Sequence, residues 1–302
     1  MSLRVARRRM NDLDEEVIVA KRRVVLTGAS GYVAQRMYAE LAERWDLVPI
    51  DVRPTTRDGK PVPGIIVADL TNPDRNAYRQ HFKGADAIIH CGFVSAANLD
   101  ATTWQNNSDA KFWAEHKNIA LAYNVHRTAL EEGVRRVVVC SSNHAADYYE
   151  RLIWAGKMEM VTPEMPPRSD NWYGWAKAAY ELLGFVFATG QVDGKRLEVV
   201  EWRIGGPRDD ADLAQPGDLK TMHRGLGAYL SQRDQVQQAI RMVETEDITD
   251  EHGVPFLIVY GISGNTHRFW SIANARAKIG YEPQDDSQIN FADKIAARLA
   301  KQ

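Results

Sequence analysis

The sequence is short of the residues that build several kinds of site. Only two cysteines, Cys91 and Cys140, occur among its 302 residues, both in apolar runs that read as buried strands. Two such thiols exclude a disulfide framework and point to a reducing compartment, the cytoplasm. No Cys or His cluster has the spacing of metal ligands, so no metal is expected. No stretch approaches the roughly 18 apolar residues that cross a bilayer. Neither sign of charge dominates, with 38 Lys and Arg against 40 Asp and Glu. A nucleic-acid or membrane-surface partner therefore gets no support from bulk charge. The first twenty residues carry Arg7-Arg8-Arg9, then Asp12, Asp14, Glu15 and Glu16, and lack the apolar middle of a signal peptide. Residues 1–20 read as a charged extension.

What remains is a strand and helix alternation. Hydrophobic residues make up 44% of the chain, enough for one large domain or a domain with a small annex. Strands are predicted at 23–27, 47–50, 64–68, 87–91 and 136–140, with helices at about 32–44 and 109–132 between them. These strands are apolar nearly throughout, the pattern of a parallel sheet covered on both faces. The later half predicts a helix over 175–189, strands at 196–203 and 256–260, and a last helix near 291–301. The Gly- and Asp-rich residues 207–229 read as loops over a site. The fold class is α/β, a doubly wound parallel sheet with helices on both faces. Residues 21–205 form its main domain. Residues 206–302 supply a small substrate-binding region interleaved with the last strand and helices.

The first strand ends in Thr27-Gly28-Ala29-Ser30-Gly31-Tyr32-Val33-Ala34, a G-x-x-G-x-x-A turn between strand and helix. Glycine permits the sharp turn and a close approach of backbone to a pyrophosphate, and the helix start offers unpaired N–H groups. Asp51 ends the second strand, about twenty residues on, where an acid can bond both hydroxyls of an adenosine ribose and repel a 2′-phosphate. This favours NAD over NADP, although Arg53 lies two residues away. Asp69-Leu70, after the third strand, suits an adenine contact and equally a helix N-terminal acid.

Ser141-Ser142 closes the fifth strand, and Tyr173-Gly174-Trp175-Ala176-Lys177 follows at a helix start. Tyr and Lys at i and i+4 share one helix face. A nearby ammonium favours the phenolate, and a serine hydroxyl can hold a substrate oxygen beside it.

With these motifs in this order, the chain resembles the extended short-chain dehydrogenase/reductase family over about residues 21–300. The resemblance implies a Rossmann domain and a catalytic set of Ser142, Tyr173 and Lys177. Lys177 would hold the nicotinamide ribose, supported by Asn118 through a water. Cofactor contacts are implied at Gly28, Ser30, Gly31, Tyr32, Val33, Asp51, Asp69, Leu70, Cys91, Gly92, Asn118, Tyr173, Lys177 and Ile204. Ala34 stands at the family's third glycine. Ser141-Ser142-Asn143-His144, Arg203-Ile204-Gly205-Gly206 and Val259-Tyr260-Gly261-Ile262-Ser263-Gly264-Asn265 are similar to the uronate dehydrogenases and to archaeal NAD-dependent glucose-6-phosphate dehydrogenases. That branch implies oxidation of a sugar's anomeric carbon to a lactone. It implies substrate contacts at Ser95, Ser142, Asn143, His144 and Arg224, the last holding the acidic group of a uronate or sugar phosphate by its guanidinium. Gly206 departs from the branch, which has a substrate-contacting serine there. His144 also reads as an ordinary loop histidine, and Arg224 as a solvated surface charge.

Two other functions stay open. A nucleotide-sugar epimerase or dehydratase usually carries a larger C-terminal lobe, and a dehydratase wants an acid where this chain has Asn143. A non-catalytic NAD-sensing module tends to lose the Tyr-Lys pair, which this chain keeps. The family often forms homo-oligomers through the helices near 109–132 and 173–188.

Overall fold

A computed structural model describes residues 21–94, 108–208 and 218–300. The expected extension at 1–20 and the expected contact at Ser95 lie outside the described residues. Seven strands form one all-parallel sheet. In chain order they are β1 (Arg23–Thr27), β2 (Asp46–Asp51), β3 (Ile66–Val67), β4 (Ala87–His90), β5 (Arg136–Val139), β6 (Glu198–Ile204) and β9 (Phe256–Gly261). Two further strands, β7 (Gly206–Pro207) and β8 (Tyr229–Leu230), pair with each other separately. Across the sheet the order is β3-β2-β1-β4-β5-β6-β9. The order reverses between β1 and β4, and ligands of such sheets bind at the carboxyl ends beside that point.

The continuous apolar strands have the consequence expected of them. Val24 and Leu26 of β1 face one core and Val25 faces the other. The first core is closed by Met37 and Leu41, by Ala239, Met242 and Val243, and by Ala275 and Ile279. The second is closed by Leu121, Val125 and Ala129 of the helix Ser108–Glu132 and by Tyr180 and Phe187 of the helix Trp172–Ala188. Burying each Val, Leu or Phe contributes about 1.5–3 kcal/mol, so two full faces hold the sheet between its helices.

Several elements differ from the sequence reading. The first helix is broken into Tyr32–Gln35 and Tyr38–Arg44. The third strand keeps two residues of the five expected, because only Ile66 and Val67 pair with β2. The supposed loops at 207–229 contain the helix Leu219–Ala228, capped by the Asp218 carboxylate, which accepts from Thr221 N–H at 2.7 Å. A helix at Gln232–Glu244, capped by Ser231, closes the first core.

Two buried histidines tie the fold to pH. His90 Nδ1 lies 2.7 Å from Thr27 Oγ1, and His126 Nδ1 lies 2.7 Å from the Ala122 carbonyl oxygen. The Nε2 of each is buried without a hydrogen-bond partner among the described residues. Burial holds His90 down to about 3 and His126 down to about 4. The unfolded chain takes up both protons below the ordinary histidine value, and the folded chain refuses them. The stability they secure is therefore complete above about pH 6.5 and falls as pH drops toward 4. Two protons give a limiting slope of about 2.7 kcal/mol per pH unit. Urea unfolding of wild type and His126→Gln at pH 7.5, 6 and 5 should show the variant's slope lower by about 1.4 kcal/mol per pH unit, whatever opposing slope buried acids such as Glu201 add to both. An unchanged slope in His126→Gln would refute it.

Candidate active site

The turn after β1 lies against the end of β4. Gly28 has φ +67°, and a Cβ there would meet the Cys91 carbonyl carbon and oxygen and the Gly92 nitrogen at 2.5 Å. Only glycine fits such an approach. The short helix Tyr32–Gln35 starts at Gly31 with no side-chain cap, so its first N–H groups have no side-chain acceptor. Asp51 stands beside them at the end of β2. Its carboxylate accepts from the N–H of Ser30 and from that of Arg53, each at 3.0 Å, while Ser30 Oγ donates to the Arg53 carbonyl at 2.7 Å. Backbone donors in a tight turn, with one fixed carboxylate at the next strand end, fit a dinucleotide with a bare adenosine ribose.

The rim continues as expected in part. Asp69 is exposed and accepts from Thr71 N–H at 2.9 Å and Thr71 Oγ1 at 2.7 Å, while Leu70 is buried in the second core. Asn118 is fully buried and makes no direct bond to Lys177. Its Oδ1 accepts from Val94 N–H at 2.7 Å and its Nδ2 donates to Val94 O and Glu115 Oε2, each at 3.2 Å. It pins the chain just after Gly92. Cys91 and Cys140 are free but adjacent, their sulfurs 2.9 Å apart on neighbouring strand ends. The hydrogen bond to Cys140, then burial, pushes the Cys91 thiol well above its ordinary value, so it stays protonated and inert.

The Tyr-Lys helix begins three residues earlier than its apolar pattern suggests, at Trp172. Asn171 caps it, accepting from Gly174 N–H at 2.9 Å. Tyr173 therefore sits in the first turn. Gly174 packs so closely on the His144 carbonyl that a Cβ would lie 2.2 Å from that oxygen. Lys177 is buried, and its Nζ donates to the Cys140 carbonyl at 2.9 Å. The ammonium stands 4.5 Å from the Tyr180 ring centroid, 5.4 Å from that of Phe93 and 5.7 Å from that of Tyr173. Edge contacts to Phe93 at 5.8 Å and to His144 at 5.6 Å hold the Tyr173 ring from two sides.

The strand-end polar strip is equally ordered. Ser142 bridges to Ile204 of β6, and its Oγ accepts from His144 N–H at 3.2 Å. Asn143 is buried, and its Nδ2 has no hydrogen-bond partner among the described residues. His144 Nδ1 lies 2.8 Å from Asp147 Oδ2, which also accepts from Asn171 Nδ2 at 2.8 Å. Burial alone would raise the Asp147 carboxyl, but hydrogen bonds from His144, Ser169 and Asn171 hold it below its ordinary value. His144 is thus more than a loop histidine: its carboxylate partner also braces the cap of the tyrosine helix.

Gly206 and Arg224 differ from expectation in informative ways. A Cβ on Gly206 would meet its neighbours at 3.4 Å or more, so crowding does not exclude a side chain there. Arg224 is neither a solvated charge nor an open fork. Its Nε and Nη2 donate to the two oxygens of Glu150 at 2.7 and 2.8 Å. Sequence reading missed Phe93, Asp147 and Glu150. Only Asn171, an N-cap residue two positions before Tyr173, carried a local signal.

Comparison with known proteins agrees with this geometry. The model of the NAD dependent epimerase/dehydratase family matches residues 24–191. The NAD-dependent glucose-6-phosphate dehydrogenase of Haloferax volcanii is 30% identical over 274 residues, covering 87% of this chain and 94% of that protein. The L-arabinose 1-dehydrogenase (NAD(P)(+)) of the same organism is 30% identical over 272 residues, covering 88% and 97%. A uronate dehydrogenase variant from Agrobacterium tumefaciens, solved with NAD, superposes with a TM-score of 0.67 at 25% identity, covering 92% of this chain and 90% of that one. The seven-stranded parallel Rossmann-type sheet matches that uronate dehydrogenase structure, and NAD is the cofactor that the turn and Asp51 fit. The chain belongs to the NAD-dependent epimerase/dehydratase family.

Proposed function

We propose that this protein oxidises the anomeric carbon of a sugar with NAD, giving an aldonolactone. The observation that carries this reading is the convergence of Ser142, Tyr173 and Lys177 beside a buried donor, Asn143 Nδ2, that has no partner among the described residues. A buried amide of this kind costs about 1–3 kcal/mol unless a ligand satisfies it, and a sugar hydroxyl is a suitable acceptor.

NAD, when bound, supplies the hydride acceptor. The Gly28 turn and the start of the helix at Tyr32 would hold its pyrophosphate, and Asp51 its adenosine ribose. Tyr173 would act as the general base that takes the proton of the C1 hydroxyl while the C1–H bond gives up its electron pair as hydride to that acceptor. The former hydroxyl oxygen becomes the lactone carbonyl. Ser142 Oγ steadies that oxygen. Lys177, anchored on the Cys140 carbonyl with its ammonium 5.7 Å from the Tyr173 ring centroid, would hold the nicotinamide ribose. Asn143 and His144 line the sugar, and Asp147 fixes the His144 ring.

The relatives are named for a sugar phosphate, a uronate and L-arabinose, so kinship alone leaves the substrate class open. The sequence points to an acidic sugar through Arg224, and the pairing of Arg224 with Glu150 bears on that point. The same reading places the protein in a reducing cytoplasm. It also favours a homo-oligomer packed through the helices Ser108–Glu132 and Trp172–Ala188, which expose Trp113, Tyr123, Leu182, Phe185 and Val186.

The test is NADH formation from NAD with neutral aldoses, uronates and glucose 6-phosphate. At least one sugar should react, with a lactone as first product. Tight NAD binding with no reduction by any sugar would instead favour the sensing role.

A further inference from the structure

We infer that Glu150 is a built-in carboxylate that fills the fork of Arg224 and sets the site for an uncharged aldose, excluding sugar acids and sugar phosphates. This rests on the reading of the site as a sugar dehydrogenase. Glu150 opens the short helix Glu150–Trp154, which follows directly on the strip running from Ser142 through Tyr149. Arg224 comes from the helix Leu219–Ala228, 74 residues later in the chain. Their contact is the two-bond pairing that an arginine makes with a planar carboxylate, using Nε and Nη2 together. Both side chains are largely withdrawn from water, at 11% exposed for Glu150 and 29% for Arg224. The guanidinium also stands 5.8 Å from the Trp270 ring centroid. The other cation of this helix, Lys220, sits one turn away with its ammonium 5.1 Å from the Trp154 ring centroid.

The electrostatics follow. With Glu150 in place the pair carries no net charge, so nothing there attracts an anion. An acidic substrate that took the fork would evict Glu150 into a half-buried position beside a second negative group. Both the lost pairing and the like-charge contact oppose it. A neutral hydroxyl meets neither penalty, and Nη1 can still donate to it. The arginine that a sequence comparison assigns to a substrate's acid is thus already supplied with one by its own chain.

The experiment compares wild type, Glu150→Ala and Glu150→Gln with pairs of sugars of the same ring stereochemistry, such as galactose and galacturonate, with NAD saturating. Glu150→Gln keeps the side-chain size, so it stands in if Glu150→Ala fails to fold. Wild type should favour the neutral sugar in kcat/KM by at least tenfold. Either variant should shift that ratio toward the acid by tenfold or more, mainly through KM, and adding Arg224→Met should erase the gain. A wild type that prefers galacturonate, or variants that leave the ratio unchanged, would overturn the proposal. If no sugar yields NADH, the dehydrogenase reading fails separately. Calorimetric titration of the NAD-loaded proteins with galacturonate then decides the role of Glu150. Tighter binding by the variants supports it, and equal binding by all three refutes it.

Discussion

Tyr173→Phe is expected to lower kcat by roughly two to four powers of ten while leaving the NAD dissociation constant and the melting temperature close to wild type. The size follows from what is removed. A positioned general base contributes about 10²–10⁴ in rate, and phenylalanine deletes only its oxygen. The ring keeps both of its edge contacts, to Phe93 at 5.8 Å and to His144 at 5.6 Å, so the helix start is undisturbed. On the proposed reading the Gly28 turn and Asp51 would hold most of the cofactor, so the loss of one phenolic oxygen should change its affinity little. Lys177→Met should behave differently. Lys177 is buried, and its Nζ is bound to the Cys140 carbonyl. Its loss should therefore lower kcat and weaken NAD binding together, and leave that carbonyl without a partner. Steady-state kinetics with fluorescence titration of NADH separate the two patterns. A Tyr173→Phe enzyme within tenfold of wild-type kcat would remove tyrosine from the base role.

How much of this was legible in the sequence depended on the range of the interaction. β1, β4 and β5 are runs of Val, Leu and Ile that satisfy both faces of a parallel sheet, and they lie within a residue of where they were expected. The glycine turn and the strand-end serines follow from the ends of those runs. The helix Leu219–Ala228 was hidden by Gly225 and Gly227 and by its polar composition, yet Asp218 was a legible cap. Ser231 with Asp234 three residues on was another. No spacing rule brings Glu150 to Arg224 or Asp147 to Asn171, because tertiary packing alone makes those pairs neighbours. Reading Arg224 as open to a substrate was reasonable from one position and was altered by another 74 residues away.

The Arg203-Ile204-Gly205-Gly206 motif has a structural reason that only contacts reveal, and it carries the largest expected loss of stability. Arg203 is fully buried. Its Nε and Nη2 donate to Glu181 at 2.7 and 2.8 Å and its Nη1 donates to the Tyr260 hydroxyl at 2.8 Å. Glu181→Leu should therefore cost about 3–5 kcal/mol at pH 7, because it strands a guanidinium away from water. The double variant Glu181→Leu, Arg203→Met should recover part of that loss, because no charge is then left buried; the hydroxyls of Tyr260 and Ser141 still lack their partners and keep it below wild type. Glu201 makes the single variant sensitive to pH. Neither of its carboxyl oxygens has a hydrogen-bond partner among the described residues, and burial, followed by the charge of Glu181, pushes its carboxyl well above the ordinary range. Removing Glu181 lifts that repulsion, so raising the pH should let Glu201 ionise more readily and partly neutralise Arg203. The deficit of Glu181→Leu, read from urea unfolding, should accordingly shrink as the pH is raised, and Glu201→Gln placed in both wild type and Glu181→Leu should abolish that change. A single variant within 1 kcal/mol of wild type, or a double variant as unstable as the single, would show that the ion pair does not hold this end of the sheet. Glu181 lies one turn beyond Lys177, so the same loss should loosen the seat of Lys177 and, on the proposed reading, raise the KM for NAD along with the instability.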